Sequence, residues 1–190
     1  NYVLNNHDVI RSASRYTKGQ DDSRLKVAAA MLLTLRGTPF LYYGEEIGMR
    51  EGKFKKDEIQ DPVGKYYYPF YKGRDGCRTP MQRDDSTNAG FSSAQPWLAV
   101  NPDHSMRNVQ QQTADPHSLL NFYKELLRVR KEHVALMRGD FEAATQMHAN
   151  TLVYFRCVQE EQIMVALNFD AKDKRLDLVN IGGQGCELLL

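Results

Sequence analysis

The feature that most constrains the fold is an apolar strand, helix and strand that follow one another near the start of the chain. Residues 2–4 are apolar, and residues 24–35 are strong helix formers with apolar positions at helical spacing. Asp21-Asp22-Ser23 supplies a capping signal before this helix, and Gly37 follows it as a stop. Residues 38–43 are aromatic and favour a strand. This order predicts a βαβ unit, in which the two strands run parallel.

The remainder of the chain changes character twice. From Gly48 to about Gln112 it is rich in turn residues and shows little periodicity, which predicts a long structured loop. Residues 116–131 then predict a second amphipathic helix. Beyond residue 139 the pattern predicts short antiparallel strands at 141–147, 151–158, 162–169, 175–178 and 186–190. An antiparallel β module therefore follows an α/β one.

Composition narrows the classes of partner. The 190 residues are 42% hydrophobic and 26% charged, as in an ordinary globular protein, and the formal charge of +1 predicts neither nucleic-acid nor anionic-membrane binding. Cys77, Cys157 and Cys186 lie far apart, which predicts reduced thiols and a cytoplasmic location. The chain opens without Met in an apolar run and closes on Leu190 after another, so we expect a piece of a longer protein.

The polar triplet Asn6-His7-Asp8 directly follows the first predicted strand. In a (β/α)8 barrel, that position lies on the C-terminal rim, where catalytic residues gather. Such a triplet is, however, more often a turn whose side chains cap the backbone. The spacing alone leaves both interpretations open.

Several long motifs resemble the α-glucosidase branch of the α-amylase superfamily, glycoside hydrolase family 13. In chain order they are NHDVIR at 6–11, GTPFLYYGEEIGM at 37–49, DP at 61–62, GRDGCRTPMQ at 73–82, NAGF at 88–91 and PWLAVNP at 96–102. The resemblance implies the C-terminal part of a (β/α)8 barrel, namely its last two βα units, at residues 1–136, with a long loop after the last strand. Residues 137–190 would form a small antiparallel β domain, itself truncated.

The resemblance also implies a site. The family uses three carboxylates: an Asp nucleophile and a Glu general acid/base on earlier strands, and a third carboxylate that matches Asp8. Asp8 would stabilise the transition state, with His7 donating a hydrogen bond beside it. Arg78, in its Arg-Thr-Pro-Met-Gln context, would close the glucose pocket, and Arg74 and Asn6 complete the expected substrate-binding set.

Three other features receive structural interpretations or remain open. Glu45 and Glu46 are adjacent and cannot flank one bond, so we expect Glu45 or Glu46 to bond nearby backbone. The Tyr66-Tyr67-Tyr68 run is expected to pack within its loop. Arg83 stands where the family usually has Trp, which leaves the preference for the acceptor group open.

The expected function is therefore that of a retaining, exo-acting α-glucosidase acting on small α-glucosides or oligosaccharides. The isolated chain is expected to be inactive, and neither a metal nor an organic cofactor is expected, because the mechanism uses carboxylates. Two alternatives stay open. One is a transglycosylase of the trehalose synthase or sucrose isomerase type, and the other is a non-catalytic relative that serves as an ancillary ectodomain.

Overall fold

The computed structural model describes residues 1–19, 21–144, 149–176 and 187–190. Its α-helices are α1 Ser12–Tyr16, α2 Ser23–Thr34, α3 Pro62–Tyr67, α4 Val109–Ala114, α5 Leu119–Glu132 and α6 Val134–Arg138. Its strands are β1 Tyr2–Val3, β2 Pro39–Phe40, β3 Asp140–Ala143, β4 Thr151–Val158 and β5 Glu161–Asn168. Three 3-10 turns lie at Asp75–Cys77, Thr87–Gly90 and Pro102–Ser105.

The predicted strand, helix and strand are present as β1, α2 and β2. The two strands are neighbours in a two-stranded sheet, and the Tyr2 N–H donates to the Thr38 carbonyl at 3.0 Å. Helix α2 begins and ends within one residue of its predicted bounds. The second strand is much shorter than the predicted 38–43, because the chain turns at residues 43–48, where Gly44 and Gly48 both adopt positive φ.

Strands β3, β4 and β5 form an antiparallel sheet in that order. Tyr154 pairs with Val165, and Asp140 with Cys157. The predicted strand at 151–158 is confirmed, and that at 162–169 is one residue out of place. The strand predicted at 141–147 is β3 as far as Ala143, and residues 145–147 lie outside the described residues.

Two further predicted strands are not found where the structure can test them. Residues 175–176 and 187–190 are described and carry no strand, whereas 177–178 and Cys186 lie outside the described residues. The short helices α1 and α6 were not predicted, since five residues hold too few helical turns to show an apolar period.

The long loop at 48–112 is structured, as expected. It contains α3, α4 and all three 3-10 turns. Helix α3 begins at Pro62, after Asp61 accepts the Val63 N–H at 3.1 Å as an N-cap. Asn108 caps α4 in the same way by accepting from the Gln111 N–H at 2.8 Å.

The chain divides into two compact units. The first comprises Asn1–Tyr2, Lys26–Pro39 and Tyr123–Leu190, and the second comprises Val3–Leu25 and Phe40–Phe122. The first unit therefore combines segments from both sides of residue 136. The division into a barrel part at 1–136 and a β domain at 137–190 stays a prediction.

In the first unit, Tyr154, Val165 and Leu167 form a buried cluster, packed by side chains of α2 that include Val27, Ala30 and Met31. The hydroxyl of Tyr154 bonds that of Thr34. This packing joins the face of β4 and β5 to the apolar side of α2, as the alternating pattern of the strands requires.

Arginines satisfy carbonyls at the ends of α2 and α6 in this unit. The fully buried Arg156 donates from Nη1 to the carbonyls of Thr34 and Leu136 at 2.6 and 3.1 Å. Its Nη2 donates to the Gly139 carbonyl at 2.8 Å. Arg130 donates to the carbonyls of Leu33 and Gly37. These bonds bring positive charge to the negative end of the helix dipole and satisfy groups that the helix leaves unpaired.

In the second unit, Ile47, Met49 and Leu120 form a small buried cluster, against which Met81 and Val109 pack. Arg107 lies beside it and is buried. Its Nη1 donates to the Asp22 carboxylate at 2.8 Å and to the Ile47 carbonyl at 2.9 Å. Asp22 therefore forms an ion pair, while Asp21 accepts the Ser23 N–H at 2.9 Å where α2 begins.

We expect Arg156→Met to destabilise the protein by about 2–4 kcal/mol, because it leaves several buried carbonyls without a donor. Urea unfolding of the two proteins measures the difference. Arg36→Met is the matched control, since Arg36 is mostly exposed and pairs with the equally exposed Asp140, an arrangement worth at most about 1 kcal/mol. Equal effects of the two substitutions would show that Arg156 has no such role.

Candidate active site

The turn after β1 is built by two asparagine side chains. Asn5 is buried, and its Nδ2 donates to the Ser12 hydroxyl at 2.8 Å while its Oδ1 accepts the Ser12 N–H. This pair ties the turn to the first residue of α1. The Asn6 Oδ1 accepts the Asp8 N–H at 2.8 Å, which bends the backbone so that His7 and Asp8 follow in a tight turn.

Basic side chains contact Asp8 on both of its oxygens. Its Oδ1 accepts from Arg78 Nη2 at 3.1 Å and from Arg74 Nη1 at 3.4 Å. Its Oδ2 lies 3.2 Å from Nε2 of His7. The carboxylate remains about half exposed, at 49% of its side-chain area. It can therefore accept further hydrogen bonds from a ligand while the protein holds its orientation.

Arg78 also fixes the backbone of the turn. Its Nε donates to the His7 carbonyl at 2.8 Å, so one guanidinium donates hydrogen bonds to both the main chain and the Asp8 side chain. The planar fork of arginine allows both bonds at once, whereas a lysine would offer only a point charge. The 3-10 turn Asp75–Cys77 separates Arg74 from Arg78 and lets both reach the same oxygen.

Arg74 has a second carboxylate partner, Asp61. Nε and Nη2 of Arg74 donate to Oδ2 and Oδ1 of Asp61 at 2.8 and 3.3 Å. The Arg74 backbone N–H donates to the same Oδ2 at 3.0 Å. Hydrogen bonding to Arg74 lowers the pKa of Asp61 from 3.8 to about 2, and these contacts keep the buried carboxyl ionised.

Arg11 and Glu51 lie in the same unit and were not singled out as site residues. Arg11 is buried, its guanidinium lies 4.8 Å from the centre of the Tyr43 ring, and its Nη1 donates to the Tyr43 carbonyl at 2.8 Å. Its backbone N–H donates to Glu51 at 2.9 Å, and burial raises the pKa of Glu51. A Cβ at Gly44 would meet Met49 and Arg11, so this close approach requires glycine.

The structure thus brings Asn6, His7, Asp8, Arg74 and Arg78 together. Asn6 uses its side-chain oxygen to cap the turn, as the structural interpretation of this triplet predicts. Asp61 belongs to the DP motif, but nothing in its spacing indicated that it would bind an arginine thirteen residues later. The useful signal was Pro62, which marks Asp61 as an N-cap.

The features interpreted as structural have mixed outcomes. Glu45 is buried and accepts the Tyr42 N–H at 3.4 Å, as expected of a structural carboxylate. Both glutamates lie in a turn after β2 rather than on a strand. The expectation that the tyrosine run packs within its loop is wrong for Tyr66, which lies on α3 with 80% of its area exposed and contacts Tyr67 edge-on.

The arrangement can orient a polar ligand. A half-exposed carboxylate among guanidinium and imidazole groups can accept hydrogen bonds from sugar hydroxyls, while the surrounding donors bind hydroxyl oxygens. Retaining glycoside hydrolysis additionally requires two carboxyl groups about 5–5.5 Å apart that flank the scissile bond. Asp8 alone cannot serve as both.

The family of this chain is shown by its match to the α-amylase catalytic domain over residues 1–139. The chain belongs to the α-amylase family, whose solved relatives contain a (β/α)8 barrel. The predicted fold class is confirmed, because the structure is consistent with the C-terminal part of such a barrel followed by a small antiparallel sheet.

Relatives in this family include a probable α-glucosidase from Rhizobium meliloti, 37% identical over 181 residues, which covers 93% of this chain and 33% of that protein. An oligo-1,6-glucosidase from Parageobacillus thermoglucosidasius is 36% identical, covering 89% of this chain and 34% of the relative. The chain therefore spans about a third of the length of the curated relatives that it matches.

Several solved structures are similar to this chain. An α-glucosyl transfer enzyme superposes with a TM-score of 0.82 at 36% identity, covering 89% of this chain and 32% of that one. The trehalulose synthase from Pseudomonas mesoacidophila superposes with a TM-score of 0.76 at 34% identity, covering 90% of this chain and 34% of that one.

Within the part of the chain that the structure describes, none of the helices has the length and apolar composition of a membrane span.

The depressed pKa of Asp61 predicts a pH dependence of stability. Its folded value of about 2 lies below the ordinary 3.8, so its stabilisation is present above pH 3.8 and is lost as the pH falls toward 2. The difference in urea midpoint between the wild type and Asp61→Asn should therefore shrink between pH 5 and pH 2. The control is Asp57→Asn, an exposed site on the same loop, whose difference from wild type should remain small throughout. A gap for Asp61→Asn that is constant across this range would contradict the assignment.

Proposed function

We propose that this chain is part of a longer, retaining, exo-acting α-glucosidase that removes terminal α-linked glucose from small α-glucosides or oligosaccharides. The observation that carries the proposal is the Asp8 carboxylate, bound at Oδ1 by Arg74 and Arg78 and at Oδ2 by His7. It lies in the motif by which the sequence resembles this branch of the family. The names of the relatives, an α-glucosidase and an oligo-1,6-glucosidase, support the same reaction class.

In the proposed mechanism, Asp8 accepts hydrogen bonds from hydroxyls of the glucose ring that is attacked. These bonds strengthen as the ring distorts toward the oxocarbenium-like transition state, so Asp8 stabilises that state more than the bound substrate. His7 donates a hydrogen bond beside it. The two arginines keep Asp8 oriented, and their remaining donors face the substrate at the closed end of the pocket.

The nucleophile and the general acid/base of this reaction are proposed to lie on earlier barrel strands of the longer enzyme. Support comes from the share of about a third that the chain covers in its relatives. It also comes from the apolar side chains of β1 and β2, since Val3 and Phe40 are both about half exposed. Such side chains in the strands of a complete barrel pack against neighbouring strands.

Within this enzyme, we assign residues 1–136 to the barrel and 137–190 to a β domain. The end of the family match at residue 139 and the start of β3 at Asp140 support this boundary. A cytoplasmic location is proposed on the sparse cysteines, of which Cys77 and Cys157 are free thiols in the described part of the chain.

A transglycosylase is the second candidate. The similarity to an α-glucosyl transfer enzyme and to a trehalulose synthase favours it, because both share the fold at more than 30% identity. Such enzymes use the same glucose-side groups and differ in whether water or a sugar accepts the glucosyl unit. Arg83, whose backbone N–H donates to the Ala89 carbonyl at 2.9 Å, stands where the family usually has Trp and leaves the preference for the acceptor group open.

Asp8→Asn in the longer enzyme should lower kcat by about a hundredfold or more, because the amide cannot accept charge-assisted hydrogen bonds on both oxygens. Assays with maltose, isomaltose, sucrose and trehalose, with products separated by chromatography, measure the loss. Asp115→Asn is the control, since it makes the same change of side chain on an exposed turn, where Asp115 accepts the His117 N–H at 2.9 Å.

The product pattern decides among the candidates. Free glucose from the wild type supports the hydrolase and gives its linkage, whereas rearranged disaccharide supports the transglycosylase. An enzyme that turns over none of these substrates would contradict both and favour a binding-only relative.

The 190-residue chain by itself should release no p-nitrophenol from p-nitrophenyl α-glucoside, because it would lack both the nucleophile and the proton donor. Assays at high protein concentration, with the longer enzyme as the positive control, measure this. Turnover by the isolated chain that disappears on Asp8→Ala would show that the account of the missing carboxylates is wrong.

A further inference from the structure

We propose that Asp61 is a positioning residue that aims Arg74 at Asp8 and so sets the geometry of the glucose-side pocket. The inference rests on the proposed function. Asp61 is 4% exposed and contacts neither oxygen of Asp8 directly, so it acts through Arg74 rather than on the sugar.

The geometry of the guanidinium makes this effect directional. Asp61 occupies the edge of Arg74 formed by Nε and Nη2, at 2.8 and 3.3 Å. The remaining nitrogen, Nη1, is then directed at the Oδ1 of Asp8, 3.4 Å away. Because the group is planar, fixing one edge fixes the direction of the other donors. Without Asp61, a long side chain with more than a third of its area exposed would be free to leave Asp8.

Asp61 is itself held by the backbone around it. The Oδ2 of Asp75 accepts the N–H groups of Gln60 and Asp61 at 2.5 and 3.0 Å. Asp75 directly follows Arg74, so two neighbouring residues are each bonded to the segment that contains Asp61. The carboxyl group of Asp61 is thus fixed at its backbone as well as at its oxygens.

Two glycines allow the two segments to lie this close. A Cβ at Gly73, where φ is +75°, would lie 2.9 Å from the Cβ of Asp61. A Cβ at Gly64 would lie 2.6 Å from the Lys72 carbonyl oxygen. Helix α3 and the loop segment before Arg74 therefore pack backbone against backbone. This close packing gives Asp61 a rigid support.

A purely structural role for Asp61 makes different predictions. Asp61 caps α3 through Oδ1, and loss of a cap lowers stability without specific coupling to Arg74. If Asp61 acts through Arg74, the effects of removing both residues should overlap instead of adding. A double-mutant cycle on turnover therefore separates positioning from capping.

The test uses the longer enzyme, with Asp61→Asn, Arg74→Met and the double variant assayed on p-nitrophenyl α-glucoside. Each single substitution should lower kcat/KM by about ten- to a hundredfold. The double variant should be no worse than Arg74→Met to within about twofold. Multiplying losses, or a loss below about twofold for Asp61→Asn, would overturn the proposal.

One further variant keeps the test decisive if Asp61→Asn fails to fold, and another controls for loss of a helix cap. Arg74→Lys retains the charge but not the fork, so it should lose activity as Arg74→Met does, and wild-type activity would overturn the proposal. Asn101→Ala is the capping control, because Asn101 also caps a helix that begins with proline, the 3-10 turn Pro102–Ser105. It should change kcat/KM by less than about twofold, and a loss equal to that of Asp61→Asn would point to capping alone.

A crystal structure of the Asp61→Asn variant separates failure of this inference from failure of the proposed function. An enzyme whose wild type turns over no α-glucoside contradicts the function only. The contact between Arg74 Nη1 and Asp8 Oδ1 should be absent in the variant. Its retention would overturn the positioning role whatever the activity.

Discussion

The site depends on the ion pairs that two arginines make with one oxygen of Asp8. An exposed carboxylate paired with a single flexible cation gains little, because solvent screens the attraction and the side chains lose entropy. Here each arginine has a second anchor: Arg78 on the His7 carbonyl and Arg74 on the buried Asp61. The pairs are therefore preorganised, and the energy of holding them is supplied by contacts away from the ligand. That arrangement suits a carboxylate that orients sugar hydroxyls and does not itself react.

The same use of arginine recurs in the other unit with neutral acceptors. Arg156 is fully buried and donates to main-chain carbonyls. These carbonyls satisfy the hydrogen-bond donors of its guanidinium, which water cannot reach. Arg130 serves the end of α2 in a similar way. In both units a guanidinium connects segments that lie far apart in sequence, because its fork reaches several acceptors at once.

The sequence predicted the parts whose pattern is local. The period of α2 and the alternation of β4 and β5 located these elements to within a residue or two, and the motifs pointed to Asp8, His7, Arg74 and Arg78. Residue contacts that join distant segments could not be read this way. Asp61, Arg11 and Arg156 have no periodic signature, and each acquires its role only when the chain brings a partner to it. The shortening of the second strand to Pro39–Phe40 similarly follows from a turn whose glycines are visible in the sequence but whose direction is not.

The most direct test of the account is a crystal structure of the longer enzyme with glucose bound. We expect at least one oxygen of Asp8 to lie about 2.5–3.2 Å from hydroxyls of the sugar, with Arg74 and Arg78 still bonded to the carboxylate. Glucose bound beyond hydrogen-bonding reach of Asp8, with the two arginines directed elsewhere, would contradict the assignment of this site.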